Sequence, residues 1–484
     1  MKVLFIIPWV KSLFGDECAV PGHPHIGIAY LSAVLKQNQH QVKIFDQAIE
    51  NNDRKLLQLL QDYKPDIIGI TTFSYCYHYV LDLITKVKQQ TNTPIILGGA
   101  HVSAVKAEIL KKTAADFAIK GEAETNFVIF LKELQKTKPN FRLIPNLIWR
   151  NKNGQVQENP NSPFIQNLDN LPFPDYSEFK FEKYPYYTTK TIPIITSRGC
   201  PYQCNYCSVQ LSMGRGFRAR SPENVLQEIK HWYKQGFKNF EINDDCFSLD
   251  LKRAEKICDL IIQNELKITY QLYNGIRVDR ISKRLLKKMK MSGCIAISYG
   301  AESGNQEILS RIGKNITLSQ IKRAVQWTNE VQIKNSVNFI IGHPGETWET
   351  ALETIEFAAS LLTNFVNFYN LIPYPGTTLY QWIEQNAKWL YSPSYILENI
   401  GSRDLKPAFE TKKFPAAERI AALKKGFALY EKTILRFRFG KILGDLAFAL
   451  SRNQSLFKTG IKMALGTKAG FWFYKIITFR SRKK

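Results

Sequence analysis

Two long stretches of this chain alternate short apolar runs with helical patterns. That alternation limits the fold more than any other feature. In residues 1–150 the runs Val3–Pro8, Val42–Phe45, Ile67–Thr71, Pro94–Leu97 and Phe117–Lys120 read as buried strands, with a sixth at Asn146–Trp149. Helical patterns lie between them at Ile26–Lys36, Asp53–Tyr63, Tyr77–Lys88 and Val102–Lys111. Strands separated by helices predict an α/β fold, a Rossmann-like, doubly wound parallel sheet. Such sheets bind ligands beyond the carboxyl ends of their strands. Here those ends carry Pro8-Trp9, Asp46, Thr72-Phe73-Ser74, Gly98-Gly99-Ala100-His101 and Gly121-Glu122.

Residues 151–190 break the pattern. Asn153-Gly154, Asn159-Pro160, Ser162-Pro163 and Leu171-Pro172-Phe173-Pro174-Asp175 are turn and extended signals, so this stretch reads as a linker. Residues 191–385 resume the alternation. Strands are expected at Pro193–Thr196, Phe240–Asn243, Thr269–Leu272, Ile295–Ser298, Ser336–Ile341 and Asn367–Leu371. Helices fit Glu223–Lys234, Leu251–Gln263, Ser282–Met291, Leu318–Val331 and Trp348–Leu362. Six strands are too few for an eight-fold barrel but enough for an open one. Residues 386–484 read as mostly helical. Leu435, Phe439, Ile442, Leu446 and Leu450 recur at helical steps beside Arg436, Arg438 and Lys441.

Composition excludes a collagen, a disordered chain and a disulfide scaffold, at 44% apolar and 22% charged residues. No apolar run reaches the roughly 20 residues that span a bilayer. The opening Met1–Pro8 is followed by Lys11 and Asp16 and reads as a strand rather than a signal peptide, so a cytoplasmic protein is expected. The formal charge is +24, and the segment Gly401–Lys484, with 20 basic and 5 acidic residues, carries most of it. With the aromatic run Phe471–Ile477, this basic region suits peripheral contact with an anionic membrane. The alternative is a helical cap with solvated charge. No nucleic-acid module or stacking platform is recognisable, so no nucleic-acid partner is expected.

Of eight cysteines, Cys18, Cys76, Cys246, Cys258 and Cys294 are scattered and read as packing residues. Cys200, Cys204 and Cys207 fall within Cys200-Pro201-Tyr202-Gln203-Cys204-Asn205-Tyr206-Cys207, just after the first strand of the second half. Three thiolates this close suit three irons of a [4Fe–4S] cube, leaving the fourth iron open to another ligand. A zinc knuckle is the alternative, but zinc sites usually pair two C-x-x-C units and no second unit occurs.

The C-x3-C-x-aromatic-C spacing, with Thr196-Ser197-Arg198-Gly199 running into it, resembles the signature of the radical S-adenosylmethionine (SAM) superfamily. The first half resembles the cobalamin-binding domain of the B12-dependent class within it. Pro24-His25-Ile26-Gly27, Gly98-Gly99-Ala100-His101 and Gly121-Glu122-Ala123-Glu124 carry that likeness. Leu168-Asp169-Asn170-Leu171-Pro172-Phe173-Pro174 is similar to the interdomain linker of the class. The resemblance covers roughly residues 1–385. It implies a cobalamin-binding domain in 1–150, a linker in 151–190, a partial six-stranded radical SAM barrel in 191–385 and a basic helical region in 386–484.

The same resemblance implies roles. Cys200, Cys204 and Cys207 ligate the cluster, and Tyr206 lies near the adenine of SAM. Asp244 and Asp245 take the SAM amino group, or else serve as a helix cap. Arg277 pairs with the SAM carboxylate, or else is a surface arginine. Glu302 binds polar groups of SAM, or else holds a loop. Gly342, in Gly342-His343-Pro344-Gly345-Glu346, shapes the adenine pocket or simply makes a tight turn. For cobalamin, Thr71, Thr72 and Ser74 hydrogen-bond the nucleotide tail, and Gly98 and Gly99 admit close backbone approach. The chain has no D-x-H-x-x-G, so His101 is the nearest histidine candidate for the cobalt, against the plainer role of a loop hydrogen bond.

The leading expectation is a cobalamin-dependent radical SAM enzyme that methylates an unactivated carbon. An oxidative cyclase or rearrangement enzyme with the same cofactors is a second reading, and a non-catalytic Fe–S regulatory protein a third. The expected partners are a small-molecule substrate, lipid-like if the membrane reading holds, and a flavodoxin or ferredoxin as electron donor.

Overall fold

The computed structural model describes residues 1–9, 22–50, 52–185 and 189–452. Cys18 and the run Phe471–Ile477 lie outside them. The first sheet has seven strands, β1 Lys2–Ile7, β2 Gln41–Asp46, β3 Ile67–Thr71, β4 Ile95–Gly98, β5 Phe117–Ile119, β6 Leu147–Arg150 and β7 Val156–Glu158. They lie in the order β2-β1-β3-β4-β5-β6-β7. The pairings from β2 through β5 are parallel, and β6 and β7 are antiparallel additions.

The sheet is therefore mixed rather than wholly parallel. For β7 the reason is local. Asn151 to Gln155 closes a tight turn, with Gly154 at φ +76°, and a turn that short joins only antiparallel neighbours. β7 thus extends the sheet into the stretch read as linker. The helix expected over Val102–Lys111 is two short ones, Ala100–Val105 and Glu108–Lys111, because Lys106 turns to φ +53° between them.

The second sheet holds β8 Thr191–Ile194, β9 Asn239–Ile242, β10 Thr269–Leu272, β11 Cys294–Glu302, β12 Lys334–Ile341 and β13 Phe365–Asn370. All pair in parallel and in sequence order, as an open six-stranded barrel. Its strands show the two-residue period. In β12 the residues Asn335, Val337, Phe339 and Ile341 are buried, while Ser336, Asn338 and Ile340 on the other face are half-buried.

Packing fixes the two sheets against each other. Val3, Phe5 and Ile7 of β1 belong to the same apolar core as Ile192, Ile242 and Leu272 of the barrel. Leu4 and Ile6, on the opposite face of β1, pack into a separate core with Leu56, Val80 and Ile84. One face of the first sheet is thus continuous with the barrel, which sets strand ends of both sheets around a common region.

The helix Ala416–Phe439 packs along β13. Gly426 permits this, because a Cβ there would come within 2.6 Å of the Phe368 ring. A second helix, Lys441–Arg452, folds back on it. Of the predicted helical C-terminal region, Ala416–Phe439 and Lys441–Arg452 form a layer closing the edge of the barrel, while Lys388–Trp389 and Phe409–Glu410 before them pair as short antiparallel strands. Among the described residues no helix is long and apolar enough to cross a membrane.

Candidate active site

The three clustered cysteines sit on the loop that follows β8. Local chemistry holds this loop tightly. Asp244, just after β9, accepts hydrogen bonds from the Thr196 amide, Thr196 Oγ1 and Ser197 Oγ, each at 2.6 Å. Asp245 accepts from the Gly199 amide at 2.8 Å. Gly199 has φ +84°, and a Cβ there would collide with the Gly216 carbonyl. The paired aspartates therefore differ in role. Asp244 is saturated by loop contacts and positions the loop, while burial pushes the Asp245 carboxyl up to about 6.

A cavity of about 440 Å³ opens in front of this loop. Cys200, Cys204, Cys207, Tyr206, Asp244, Asp245, Arg277 and Glu302 all line it. Gly342 does not. It lies behind the wall, against Arg419, whose guanidinium occupies the space a Cβ would need. Glu346 accepts from the amides of Gly342 and His343, which shapes that turn from within the fold.

Two cations face the thiols. Burial pulls Lys314 down, but the carboxylate of Glu302, 2.8 Å from its Nζ, outweighs this and lifts it. Arg277 stacks on the Tyr202 ring at 3.5 Å, donates to the Lys314 carbonyl at 2.7 Å and is held by Asp279 at 2.9 Å. Burial raises Cys204 and pushes Cys207 up to about 11, with Lys314 opposing both. Cys200 is lowered, chiefly by a hydrogen bond from the buried thiol of Cys246.

Thiols must lose their protons to bind metal, and a cation pair beside them favours the anionic product. Among the described residues, no three His, Cys, Asp or Glu side chains meet as a single ion would require. A cube gives each thiolate its own iron, and three thiols on one loop lining one cavity suit that group.

A second cavity, of about 340 Å³, lies at the strand ends of the first sheet. Phe5, Ile70, Ile96 and Phe127 are among its apolar lining, and Thr71, Gly98, Gly99 and Gly121 are among the strand-end residues around it. A greasy slot rimmed by glycines fits the flat base of a nucleotide tail. Gly99 takes φ +102°, and a Cβ there would come within 2.8 Å of the Thr72 carbonyl.

Thr72, Ser74 and His101 are not among the lining residues. Ser74 Oγ and His101 Nδ1 hydrogen-bond each other at 2.9 Å, with the imidazole buried against Tyr77. The histidine that lines the cavity is His25, lowered to about 4 by burial and hence neutral. Asp245 lines both cavities, so the two sites share a wall.

Charge ties these sites together. Glu122, at the rim of the second cavity, meets Arg198 at 2.9 Å and Arg218 at 2.7 Å. Arg198 also meets Glu124 at 2.8 Å. All four side chains are buried, and Arg198 stands two residues before Cys200.

Comparison with known proteins agrees with this geometry. A family model for the radical SAM superfamily matches residues 194–358, and one for the B12 binding domain matches residues 16–131. An uncharacterized methyltransferase of Pyrococcus horikoshii is 33% identical over 80% of this chain and 84% of its own length. The chain belongs to the cobalamin-dependent radical SAM superfamily.

Another relative in the superfamily is the anaerobic magnesium-protoporphyrin IX monomethyl ester cyclase of Rubrivivax gelatinosus. It is 28% identical over 79% of this chain and 70% of its length. The radical SAM methyltransferase TsrM from Kitasatospora setae, solved with cobalamin and a [4Fe–4S] cluster, superposes with a TM-score of 0.67. It is 18% identical over 80% of this chain and 76% of its own, a likeness of fold. The cofactors of this chain are a [4Fe–4S] cluster, SAM and cobalamin.

Membership leaves several residues that sequence reasoning missed. Lys314, Tyr202, Asn243, Ser298 and Asn338 all line the first cavity. For the last three there was a partial signal: each is a polar residue within or just after an expected strand. Lys314 carried none, since its pairing with Glu302 depends on a loop.

Proposed function

We propose that this enzyme transfers a methyl group to an unactivated carbon of a small molecule. The observation that carries the reading is the shared wall: the cavity with three thiols and the glycine-rimmed cavity meet at Asp245. With its groups bound, the site would supply the reductive cleavage of SAM and a methyl group carried on cobalamin.

The protein's part is placement. Cys200, Cys204 and Cys207 hold the cluster. Arg277 presents a guanidinium suited to the SAM carboxylate, and Asp245 presents a half-buried acceptor for its ammonium. Burial and Glu302 keep the Tyr206 phenol protonated beside the adenine position. The Thr71 hydroxyl and the glycine rim at Gly98 and Gly99 receive the cobalamin tail. Residues 1–150 with β7 serve cobalamin, 191–385 the cluster and SAM, and 386–484 close the barrel edge. A flavodoxin or ferredoxin delivers the electron.

The test uses reconstituted enzyme with methyl-labelled SAM and a reductant. Label in a carbon product, dependent on added cobalamin, supports methyl transfer. Turnover of SAM to 5′-deoxyadenosine with an unlabelled, oxidised or rearranged product would instead favour the cyclase reading.

A peripheral contact with an anionic membrane is also proposed. In the helix Lys441–Arg452 the side chains Ile442, Leu443 and Leu446 are exposed at 83%, 61% and 56%. No acidic residue follows Asp445. Each basic residue near such a surface contributes about 1 kcal/mol. The full chain is expected to float with anionic vesicles at low salt and to leave them as salt rises. Absence of flotation at low salt overturns the contact.

A further inference from the structure

The interior of a β/α barrel is ordinarily packed with branched apolar side chains. This one is not. Glu241, Gln271, Ser298, Ser336, Asn338 and Asn367, from five successive strands, lie on the lumen face, and most of them are only half-buried.

They form two hydrogen-bonded groups. Gln271 Nε2 donates to Glu241 Oε2 at 3.2 Å. Ser336 Oγ and Asn338 Nδ2 both donate to Ser298 Oγ, at 2.8 and 3.0 Å, and Asn367 Nδ2 donates to Asn338 Oδ1 at 2.9 Å. Ser298 and Asn338 also line the cavity that holds the three thiols. The polar face is therefore continuous with the place where the chemistry happens.

The two ends differ in charge. At the β9 end Glu241 faces His23 at 3.4 Å. At the β13 end stands Arg403, whose Nη2 reaches Asn367 Oδ1 at 3.4 Å and the Tyr369 hydroxyl at 3.5 Å. Its guanidinium lies over the rings of Tyr369 and Tyr430, at 5.3 and 4.8 Å, so its plane is set. The backbone beside it is anchored too, because the Asn370 amide donates to the Ser402 carbonyl at 2.6 Å. An oriented guanidinium is the side chain that best matches a carboxylate or a phosphate.

An apolar ligand laid on this face would strip water from amides and hydroxyls without replacing it, at about 1–3 kcal/mol for each group left unsatisfied. A hydrogen-bonding ligand makes good that loss. We infer that the lumen takes a polar, anionic small molecule, carboxylate- or phosphate-bearing, with its anion at Arg403, and not a terpenoid or other lipid. The inference rests on methyl transfer for its role as substrate, but not for its binding.

The binding test therefore needs no turnover. Reconstituted full-length enzyme is titrated with inorganic phosphate and, separately, with acetate, following the thermal midpoint. The wild type, Arg403→Gln, Arg403→Lys and the exposed control Arg438→Gln are compared. At least one anion is expected to raise the wild-type midpoint. Arg403→Gln should weaken its apparent affinity roughly tenfold or more, the size of a lost charged hydrogen bond. Arg403→Lys should fall between, and Arg438→Gln should match the wild type. Which anion responds distinguishes phosphate from carboxylate. An equal response in wild type and Arg403→Gln, or none to either anion, overturns the inference.

A second arm incubates the enzyme and methyl-labelled SAM with an aqueous extract and a lipid extract. Label in an anion-exchange-retained, water-soluble product supports the inference, and label confined to the lipid extract overturns it. Label in neither counts against methyl transfer itself, while the anion titration still decides the binding.

Discussion

Cys204→Ala is expected to abolish 5′-deoxyadenosine formation and to leave the reconstituted protein without its iron–sulfur absorption. The same holds for Cys200→Ala and Cys207→Ala. Losing an outer-shell partner of a metal ligand typically costs 10–100-fold in affinity or activity, so loss of a ligand should exceed about 100-fold. The fold itself should hardly notice. Cys204 is buried, but among the described residues its thiol makes just a long approach of Sγ to the Gly313 carbonyl, at 3.8 Å.

A thermal midpoint of cluster-free protein close to wild type, together with lost turnover, would therefore mark the effect as chemical. Cys246→Ser is the informative contrast. That thiol is buried beside Cys200 but does not line the cavity. It should keep the cluster. Turnover by Cys204→Ala at more than a few per cent of wild type would exclude the three-thiolate cube.

Much of this was legible in the sequence, and the reasons differ by residue. The three cysteines are readable because their spacing is local: eight residues of chain place all three on one loop. The strands of both sheets are readable because burial on one or two faces forces a pattern on neighbouring residues. Their connections are less so. β7 was hidden in a stretch of turn residues, because three residues paired to one neighbour leave little periodic signal.

Roles that depend on distant partners were mostly not legible. Asp244 and Asp245 are adjacent in sequence, yet one is consumed by Thr196 and Ser197 and the other faces both cavities. His101 was the histidine the sequence pointed to, yet the fold turns His101 into Ser74 and His25 toward the cavity. The apolar residues at the C-terminus split likewise. Gly426 and Ala422 go under the barrel edge, while Ile442 and Leu443 stay in solvent, although both sets lie on helices of similar composition.

Glu122→Gln is the substitution expected to hurt the fold most. Its carboxylate sits between Arg198 and Arg218, which are 76 and 96 residues away in the chain, and it also accepts the Ile165 amide at 2.8 Å. No sequence pattern announces such a group. Its side chain is 4% exposed, and those of the two arginines are 6% and 5%. Glutamine keeps the shape but removes the charge, leaving Arg198 with Glu124 and taking from Arg218 the carboxylate it pairs with. Breaking a buried pair from one side typically costs about 3–5 kcal/mol, because the remaining charge is neither hydrated nor matched.

The cost should appear as a lower denaturation midpoint. Cobalamin should also be held more weakly, since Glu122 lines that cavity while Arg198 leads into the cysteine loop. Glu124→Gln should cost less, for among the described residues it pairs with Arg198 alone. The double variant Glu122→Gln with Arg218→Met should recover part of the loss by removing the stranded cation. If Glu122→Gln shifts stability by less than about 1 kcal/mol, the value of an ordinary surface pair, the link between the two cofactor sites is not electrostatic.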